Sequence, residues 1–272
     1  MIKPSDHPMG DNWQHWLQLT QQGNVGQEIA LNPALYPLIE ELIEEQLKQQ
    51  RKEITLLDLG AGTASLAHDI LEQDISNSLG LRLCKNVSEM RARVDRFYSL
   101  EGEISYIGQS RIDNSRHEPI VANLEHQAYI PFNNGSVDIA ISRQFLMHLS
   151  AAGLDHHFHE VSRVLSDTGI YVFTVLHPDY EGKKHAEKYP DAPDICEGQK
   201  YRYPHGNPGE TEALWQYHIP IEYYQAAIKN AGLSLKFMQP IFSQIPGFEK
   251  SHARYYSRSN PMSLLFLLRK QA

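Results

Sequence analysis

A short apolar run, Ile54-Thr55-Leu56-Leu57-Asp58-Leu59, ends directly on Gly60-Ala61-Gly62, and Thr63-Ala64-Ser65-Leu66 then opens a helix-like stretch. A strand that is apolar along its whole length has both faces covered, which is the condition of a parallel strand inside an α/β sheet. Glycines after such a strand permit backbone angles that other residues avoid, and they let the main chain approach a ligand. The crevice beyond the carboxyl ends of parallel strands is where these sheets bind small molecules. The glycine turn therefore fixes both the fold class to expect and the end of the sheet to watch.

Similar runs recur downstream: Ile104-Ser105-Tyr106-Ile107, Pro119-Ile120-Val121-Ala122, Val137-Asp138-Ile139-Ala140-Ile141-Ser142 and Ile170-Tyr171-Val172-Phe173-Thr174-Val175. Between the last two, Leu154, Phe158, Val161, Val164 and Leu165 recur with helical spacing. Strands alternating with helices predict a sheet wound with right-handed crossovers. At the end of the chain, Leu233–Met238 and Met262–Leu268 read as two strands joined without a helix, hence antiparallel. The fold class expected is α/β, doubly wound and mostly parallel, with an antiparallel edge pair. Upstream, Leu38, Ile39, Leu42, Ile43 and Leu47 mark a helix whose wet face is Glu40, Glu41, Glu44 and Glu45, with Asn32 as its cap and Pro33 in its first turn.

The domain reading is a helical cover over residues 1–50 and one domain over 51–272. Residues 177–219 interrupt the rhythm with prolines, glycines and the aromatics Tyr180, Tyr201, Tyr203, Trp215 and Tyr217. A long insertion of this kind is usually a lid or binding segment; the alternative is a surface loop of no function. Trp13, Trp16 and Tyr36 read either as part of the amino-terminal cover or as ordinary helix packing. Twenty-five Lys and Arg against 33 Asp and Glu give a net charge of −8, which argues against nucleic acid as the main partner. The two cysteines, Cys84 and Cys196, suffice neither for a disulfide framework nor for a four-thiolate zinc site. No apolar run is long enough to span a bilayer and the amino terminus lacks a signal-peptide core, so a cytoplasmic protein is expected. Oligomeric state is not legible.

The turn fails two common nucleotide fingerprints. A third dinucleotide-binding glycine would fall at Ser65, and no Lys-Ser or Lys-Thr follows for a triphosphate loop. Instead, Leu57-Asp58-Leu59-Gly60-Ala61-Gly62-Thr63 resembles the first motif of class I S-adenosylmethionine-dependent methyltransferases. Ile130–Ser142 resembles the segment leading into their fourth strand, and His159–Gly169 the helix and turn before their fifth. The order and spacing agree, and the resemblance covers about residues 54–176. The last two strands, and Tyr217–Tyr224 followed by Ala231-Gly232-Leu233, are similar to the edge pair and late helix of the small-molecule members.

The resemblance implies a seven-stranded Rossmann-like methyltransferase fold, S-adenosylmethionine as cofactor, and methyl transfer to an oxygen, nitrogen or carbon of a small-molecule acceptor. Because the donor is already activated, such an enzyme works mainly by alignment and exclusion of water, with a base where one is needed. By analogy Gly60, Ala61 and Gly62 pass the methionyl part of the donor. Asp58 either orients the turn or meets the donor ammonium; its bland role would be to cap nearby amides. The family's ribose-binding acid at the end of the second strand is expected at Ser110 if Ser105–Ser110 forms that strand, with Asp113 as a substitute. A second alignment uses Gly80–Cys84 as the strand, and it also lacks an acid. Asn123, followed by Leu124, falls where the third strand ends and the adenine amino group is bound. Arg143 and Gln144, at the tip of the fourth strand, are candidates for the donor carboxylate or the acceptor, and Trp215 and Tyr217 for the acceptor.

Fourteen histidines include three near the expected acceptor pocket, His148, His177 and His218. Each could act as a base or be a hydrogen-bonded structural residue. His156, His157, His159 and Glu160 read as a solvated helical face, and no metal is expected. The absent ribose acid keeps open a cyclase- or isomerase-like catalyst, or a binding subunit without catalysis. A nicotinamide dehydrogenase ranks last, for want of the third glycine.

Overall fold

Helix α1 (Asn32–Lys48) turns Leu35, Tyr36, Ile39, Leu42 and Ile43 inward; of the expected stripe Leu38 and Leu47 are only half-buried, and Glu40, expected on the wet face, is buried and accepts from Lys85 N at 2.7 Å. Pro33 stands in its first turn as expected. The expected Asn32 cap is not made: Leu31 holds the cap position, and the Asn32 carboxamide bonds to nothing. The computed structural model describes residues 31–49, 53–73, 81, 83–102, 112–124, 129–179, 198–204, 213–241, 261 and 263–271. Trp13, Trp16, Tyr180 and Ser110 lie outside them.

β1 (Ile54–Leu59) leads through the glycine turn into α2 (Ser65–Leu71). α3 (Val87–Arg93) is capped by the Asn86 side chain and runs without a turn into β2 (Val94–Glu101). β3 (His117–Val121), β4 (Val137–Arg143), a 3-10 turn (Leu146–His148), α4 (Ala151–Val164) and β5 (Leu165–Leu176) follow. A hairpin of β6 (Lys200–Pro204) and β7 (Ala213–Tyr217) stands apart as a two-stranded sheet. Then come α5 (Ile221–Asn230), β8 (Leu233–Ile241) and β9 (Ser263–Lys270).

The seven-stranded sheet has the order β3-β2-β1-β4-β5-β9-β8. Strands β3 to β5 are mutually parallel, and β9 runs antiparallel to both β5 and β8. This is the expected architecture. The chain winds outward from β1 through β2 to β3, then returns to place β4 on the other side of β1, so the crevice opens between the carboxyl ends of β1 and β4.

One strand is misplaced by the sequence reading. The partner of β1 is Val94–Glu101, with Leu59 opposite Leu100. Ser105–Ser110 lies outside the described residues, and the described residues of Gly80–Cys84, namely Leu81, Leu83 and Cys84, are not in a strand; Leu83–Asn86 is irregular. The stretch was obscured by Asp95 and Arg96, which interrupt its apolar pattern, and by the direct passage from α3 into the strand.

Both faces of the central strands are buried, Leu57 and Ala140 toward one apolar cluster and Leu56, Ile139 and Ile141 toward the other. Each large aliphatic side chain buried this way contributes about 1.5–3 kcal/mol. Buried Asp138 is satisfied by Thr55 N at 3.1 Å and Ser166 Oγ at 3.2 Å, and so pins β4 to its neighbours. Arg163 donates to Ile130 O at 2.8 Å and Phe132 O at 2.7 Å, which holds the segment entering β4.

Candidate active site

The glycine turn is drawn against the end of β2. Gly60 N and Ala61 N both donate to Leu100 O, at 2.9 and 3.1 Å. Gly62 N donates to Glu101 Oε2 at 2.8 Å, and Gly102 N to Glu101 Oε1 at 2.7 Å. The three turn amides are thus engaged within the protein; what the turn offers a ligand is a bare surface beside a carboxylate. Gly60 and Gly62 have φ of +71° and +58°, in the left-handed region. A Cβ on Gly60 would stand 2.3 Å from Phe145 Cγ, so the Phe145 ring occupies the room that a side chain would need.

Glu101 therefore holds the place assigned to Ser110, and the expectation of a missing acid at the end of the second strand is corrected. The signal that could have found it is the Glu101-Gly102 pair closing a run with Val94, Phe97 and Leu100. Asp113 is exposed in the irregular segment before β3. Asn123 and Leu124 do follow the end of β3, Asn123 exposed and Leu124 buried.

Asp58 is 0% exposed, and neither carboxylate oxygen has a hydrogen-bond partner. It caps no neighbouring amide, so the bland role considered for it is not played. Burial raises its pKa to about 6, opposed by the Arg143 guanidinium, whose Nη2 lies 3.8 Å from Asp58 Oδ2. The same Nη2 donates to Ser65 Oγ at 2.9 Å, which turns Arg143 toward α2.

Gln144 goes the other way. It has φ +51°, an uncommon angle for a residue with a side chain. Its amide nitrogen is held by Thr174 O at 3.0 Å and Thr174 Oγ1 at 3.2 Å. Its Nε2 donates to Ser263 Oγ at 3.1 Å, and Oε1 is buried without a partner. Thr174 and Ser263, unnoticed in the sequence, thus fix Gln144 at the tips of β5 and β9. Arg143 and Gln144 serve opposite sides of the crevice.

The three candidate histidines lie on different segments. His148 closes the 3-10 turn after β4, against which β7 packs. His177 follows β5, and its Nδ1 accepts from Asp179 N at 3.3 Å. His218 leaves β7, bonded through its backbone to Gln199 O at 3.0 Å, with its ring edge-on to Tyr201. Trp215 pairs with Arg202 across the hairpin, and Tyr217 packs against the main core with Lys200 Nζ 5.5 Å from its ring centre.

His157 departs from the solvated face expected of α4. Its Nε2 lies 2.7 Å from Tyr171 Oη, which donates to Ser142 Oγ at 2.8 Å. Burial lowers its pKa to about 3 and pushes the Tyr171 hydroxyl up. His156 and His159 are exposed, as expected. Among the described residues no three His, Cys, Asp or Glu side chains converge as a metal site would require. None of the described helices is long and apolar enough to cross a membrane.

Comparison with known proteins agrees with this geometry. A family described as a methyltransferase domain matches residues 57–173. An uncharacterized protein of Methanocaldococcus jannaschii is 44% identical over 63 residues, which is 23% of this chain and 23% of that protein, so the match spans under a quarter of the relative. An S-adenosylmethionine-dependent methyltransferase of Clostridium acetobutylicum superposes with TM-score 0.56 at 11% identity, covering 96% of this chain and 99% of its own. That of Mesorhizobium loti gives 0.53 at 14% identity, covering 80% and 91%. A chain from the Haloferax volcanii complex between the Trm112 methyltransferase activator and a methyltransferase gives 0.60 at 14%, covering 97% and 98%. At these identities the likeness is one of fold.

Proposed function

We propose that this chain, whose residues 57–173 match a family described as a methyltransferase domain, is a class I S-adenosylmethionine-dependent methyltransferase that methylates an oxygen, nitrogen or carbon of a small-molecule acceptor in the cytoplasm. The observation that carries the reading is Glu101, a carboxylate at the end of β2 tied to Gly62 N of the turn. A carboxylate beside a glycine turn suits a ligand carrying a vicinal diol, because each carboxylate oxygen has two acceptor sites and charge strengthens its bonds to hydroxyl donors.

The residues present fit the donor. Glu101 would hold its ribose hydroxyls, Asn123 and Leu124 its adenine edge, and Gly60, Ala61 and Gly62 the wall along its methionyl chain. Buried Asp58, whose oxygens accept no hydrogen bond, suits the donor's ammonium group, and its ion-pair partner Arg143 the carboxylate. When bound, the donor supplies a methyl group on a positively charged sulfur, already activated for displacement. The protein's share is to align the acceptor and exclude water. Gln144, held rigid by Thr174 and Ser263, and the hairpin carrying Trp215 and Tyr217 would seat the acceptor. His148, beneath β7, is the favoured base of the three candidates, with His177 and His218 behind it.

A non-methylating catalyst is suggested only by an absent ribose acid, and the carboxylate of Glu101 at the end of β2 speaks against that ground. Titration calorimetry with S-adenosylmethionine and S-adenosylhomocysteine tests the reading. Saturable binding of both is expected; no heat and no thermal shift with either would refute it.

A further inference from the structure

A buried polar chain stands behind one aromatic ring at the tip of β4. Phe145 lies two residues past Arg143, where β4 ends, and is half-buried, so the protein leaves part of it uncovered. Its ring packs on that of His157, with centroids 5.9 Å apart. His157 Nε2 lies 2.7 Å from Tyr171 Oη, which donates to Ser142 Oγ at 2.8 Å. All three polar residues are buried, and His157 Nδ1 has no hydrogen-bond partner. A polar chain with one bare nitrogen is a costly way to fill a core, and it asks for a reason.

The place of Phe145 supplies one. Its Cγ, Cδ2 and Cβ stand 2.3, 2.4 and 2.7 Å from the point that a Cβ on Gly60 would occupy, and these are the three nearest heavy atoms there. The side chain thus lies directly on the first glycine of the turn. Gly60 N and Ala61 N are both turned to Leu100 O. Beside Phe145 the turn therefore presents a C–H surface and a π face, and these two N–H groups are engaged elsewhere. The nearby charged side chains are engaged as well: Asp58 Oδ2 lies 3.8 Å from Arg143 Nη2, and Glu101 accepts from Gly62 N and Gly102 N. The tip of β4 touches the turn with Phe145 at Gly60 and reaches the start of α2 with Arg143 at Ser65.

We infer that Phe145 sets the charge preference of the site: its ring meets the donor sulfur and favours a positively charged sulfonium over a neutral thioether. The inference rests on the donor reading given above, in which Gly60 lies along the methionyl chain. A sulfonium carries positive charge but no hydrogen-bond donor. What complements it is a negative potential without directional demands, which the face of an aromatic ring supplies. The attraction strengthens where water is excluded. A ring already held by Gly60 and His157 does not have to be ordered when the ligand arrives, which is the purpose of the polar chain behind it. The thioether left after methyl transfer is neutral, so the ring that holds the donor holds the product less well.

Three ligands separate charge recognition from packing. S-adenosylmethionine is positive at sulfur, sinefungin carries an ammonium group in place of the methylated sulfur, and S-adenosylhomocysteine is neutral there. The quantity to read by calorimetry is each charged ligand's preference over S-adenosylhomocysteine, the ratio of the two dissociation constants. Phe145→Leu is expected to lower that preference about three- to thirtyfold for both charged ligands, the range of a cation–π contact. Phe145→Tyr, which keeps the ring face, should keep the parent's ratios. Unchanged ratios in Phe145→Leu would overturn the assignment, whether all affinities hold or all fall equally, the latter being the mark of a wall that only packs. A fall for S-adenosylmethionine alone would assign the effect to its methyl group and overturn it too. If the parent protein binds none of the three, the donor reading falls and this inference with it, a separate outcome. Phe145→Met, of similar volume, carries the same comparison should the Leu variant fail to fold.

Discussion

Replacing Asp58 by Asn should change how the stability of the donor-free protein depends on pH, and replacing His157 by Gln should change it in the opposite sense. Asp58 has its pKa raised by burial from 3.8 to about 6. Below pH 4 it is protonated in both the folded and unfolded chain and costs nothing. Between about 4 and 6 the unfolded chain has released the proton and the folded chain has not, so stability falls about tenfold in the folding constant per pH unit. Above 6 the loss levels off at about 3 kcal/mol. His157 has its pKa lowered by burial from 6.5 to about 3. Its neutral ring costs nothing above 6.5; below that the unfolded chain takes up a proton that the folded chain refuses, so stability falls as the pH drops. Across pH 4 to 6 the two slopes cancel. Urea titrations at pH 4, 5, 6 and 7, read as variant minus parent, remove the contribution of every other group. Asp58→Asn should gain progressively more on the parent from pH 4 to 6, reaching about 3 kcal/mol less whatever the neighbouring Arg143 charge loses. His157→Gln should gain most at pH 4 and nothing above 6.5. Differences that stay constant within about 0.5 kcal/mol over this range would refute the assignment of buried, proton-linked roles to these two residues.

Gly60→Ala combines a positive φ with a Cβ placed 2.3 Å from Phe145 Cγ, and should cost about 2–5 kcal/mol, seen in chemical denaturation. Phe145→Leu in the same chain should recover the overlap part, about 1–3 kcal/mol, whereas strictly additive effects would contradict the contact. Glu101→Gln sets an amide NH2 against Gly62 N or Gly102 N and should cost roughly 1.5–3 kcal/mol of stability, and in the folded variant it should weaken S-adenosylhomocysteine about ten- to hundredfold by calorimetry; unchanged affinity would remove Glu101 from the donor site.

The features legible in the sequence share a physical trait: they depend on local pattern. The glycine turn, the apolar strands β1, β4 and β5 and the stripe of α4 are all set by burial on one or both faces, and burial shows as periodicity. The antiparallel end of the sheet was readable because Leu233 and Leu264 open apolar runs with no helical pattern in the sequence between them. β2 was not, since Asp95 serves the backbone of Ile54 at 2.8 Å and Arg96 is exposed, so the strand reads as polar. Glu101 was lost with it. His157 looked solvated because its neighbours His156 and His159 are; only its place beside Leu154, Phe158 and Val161 on the helix turns it inward. Contacts such as Phe145 on Gly60, or Gln144 against Ser263, join residues far apart in the chain and leave no trace in either segment.

Asp58 lies at the carboxyl end of β1 beside the glycine turn, and that place gives the cost of its bare carboxylate a purpose. Asp58 ionised in a dry site lowers the stability of the donor-free protein. A ligand that binds only the folded state restores stability according to its concentration over its dissociation constant, about 2.7 kcal/mol at a hundredfold excess. That is close to the cost expected of Asp58 alone above pH 6. On the donor reading the free protein holds the Asp58 carboxylate desolvated, so that little rearrangement remains when the donor's ammonium arrives. Substitutions at Asp58 that stabilise the free protein should, for the same reason, be the ones that weaken the donor most. The test is a plot of donor-free stability against donor affinity over such variants. A falling line is expected, and a flat one would mean that the bare carboxylate serves something other than the donor.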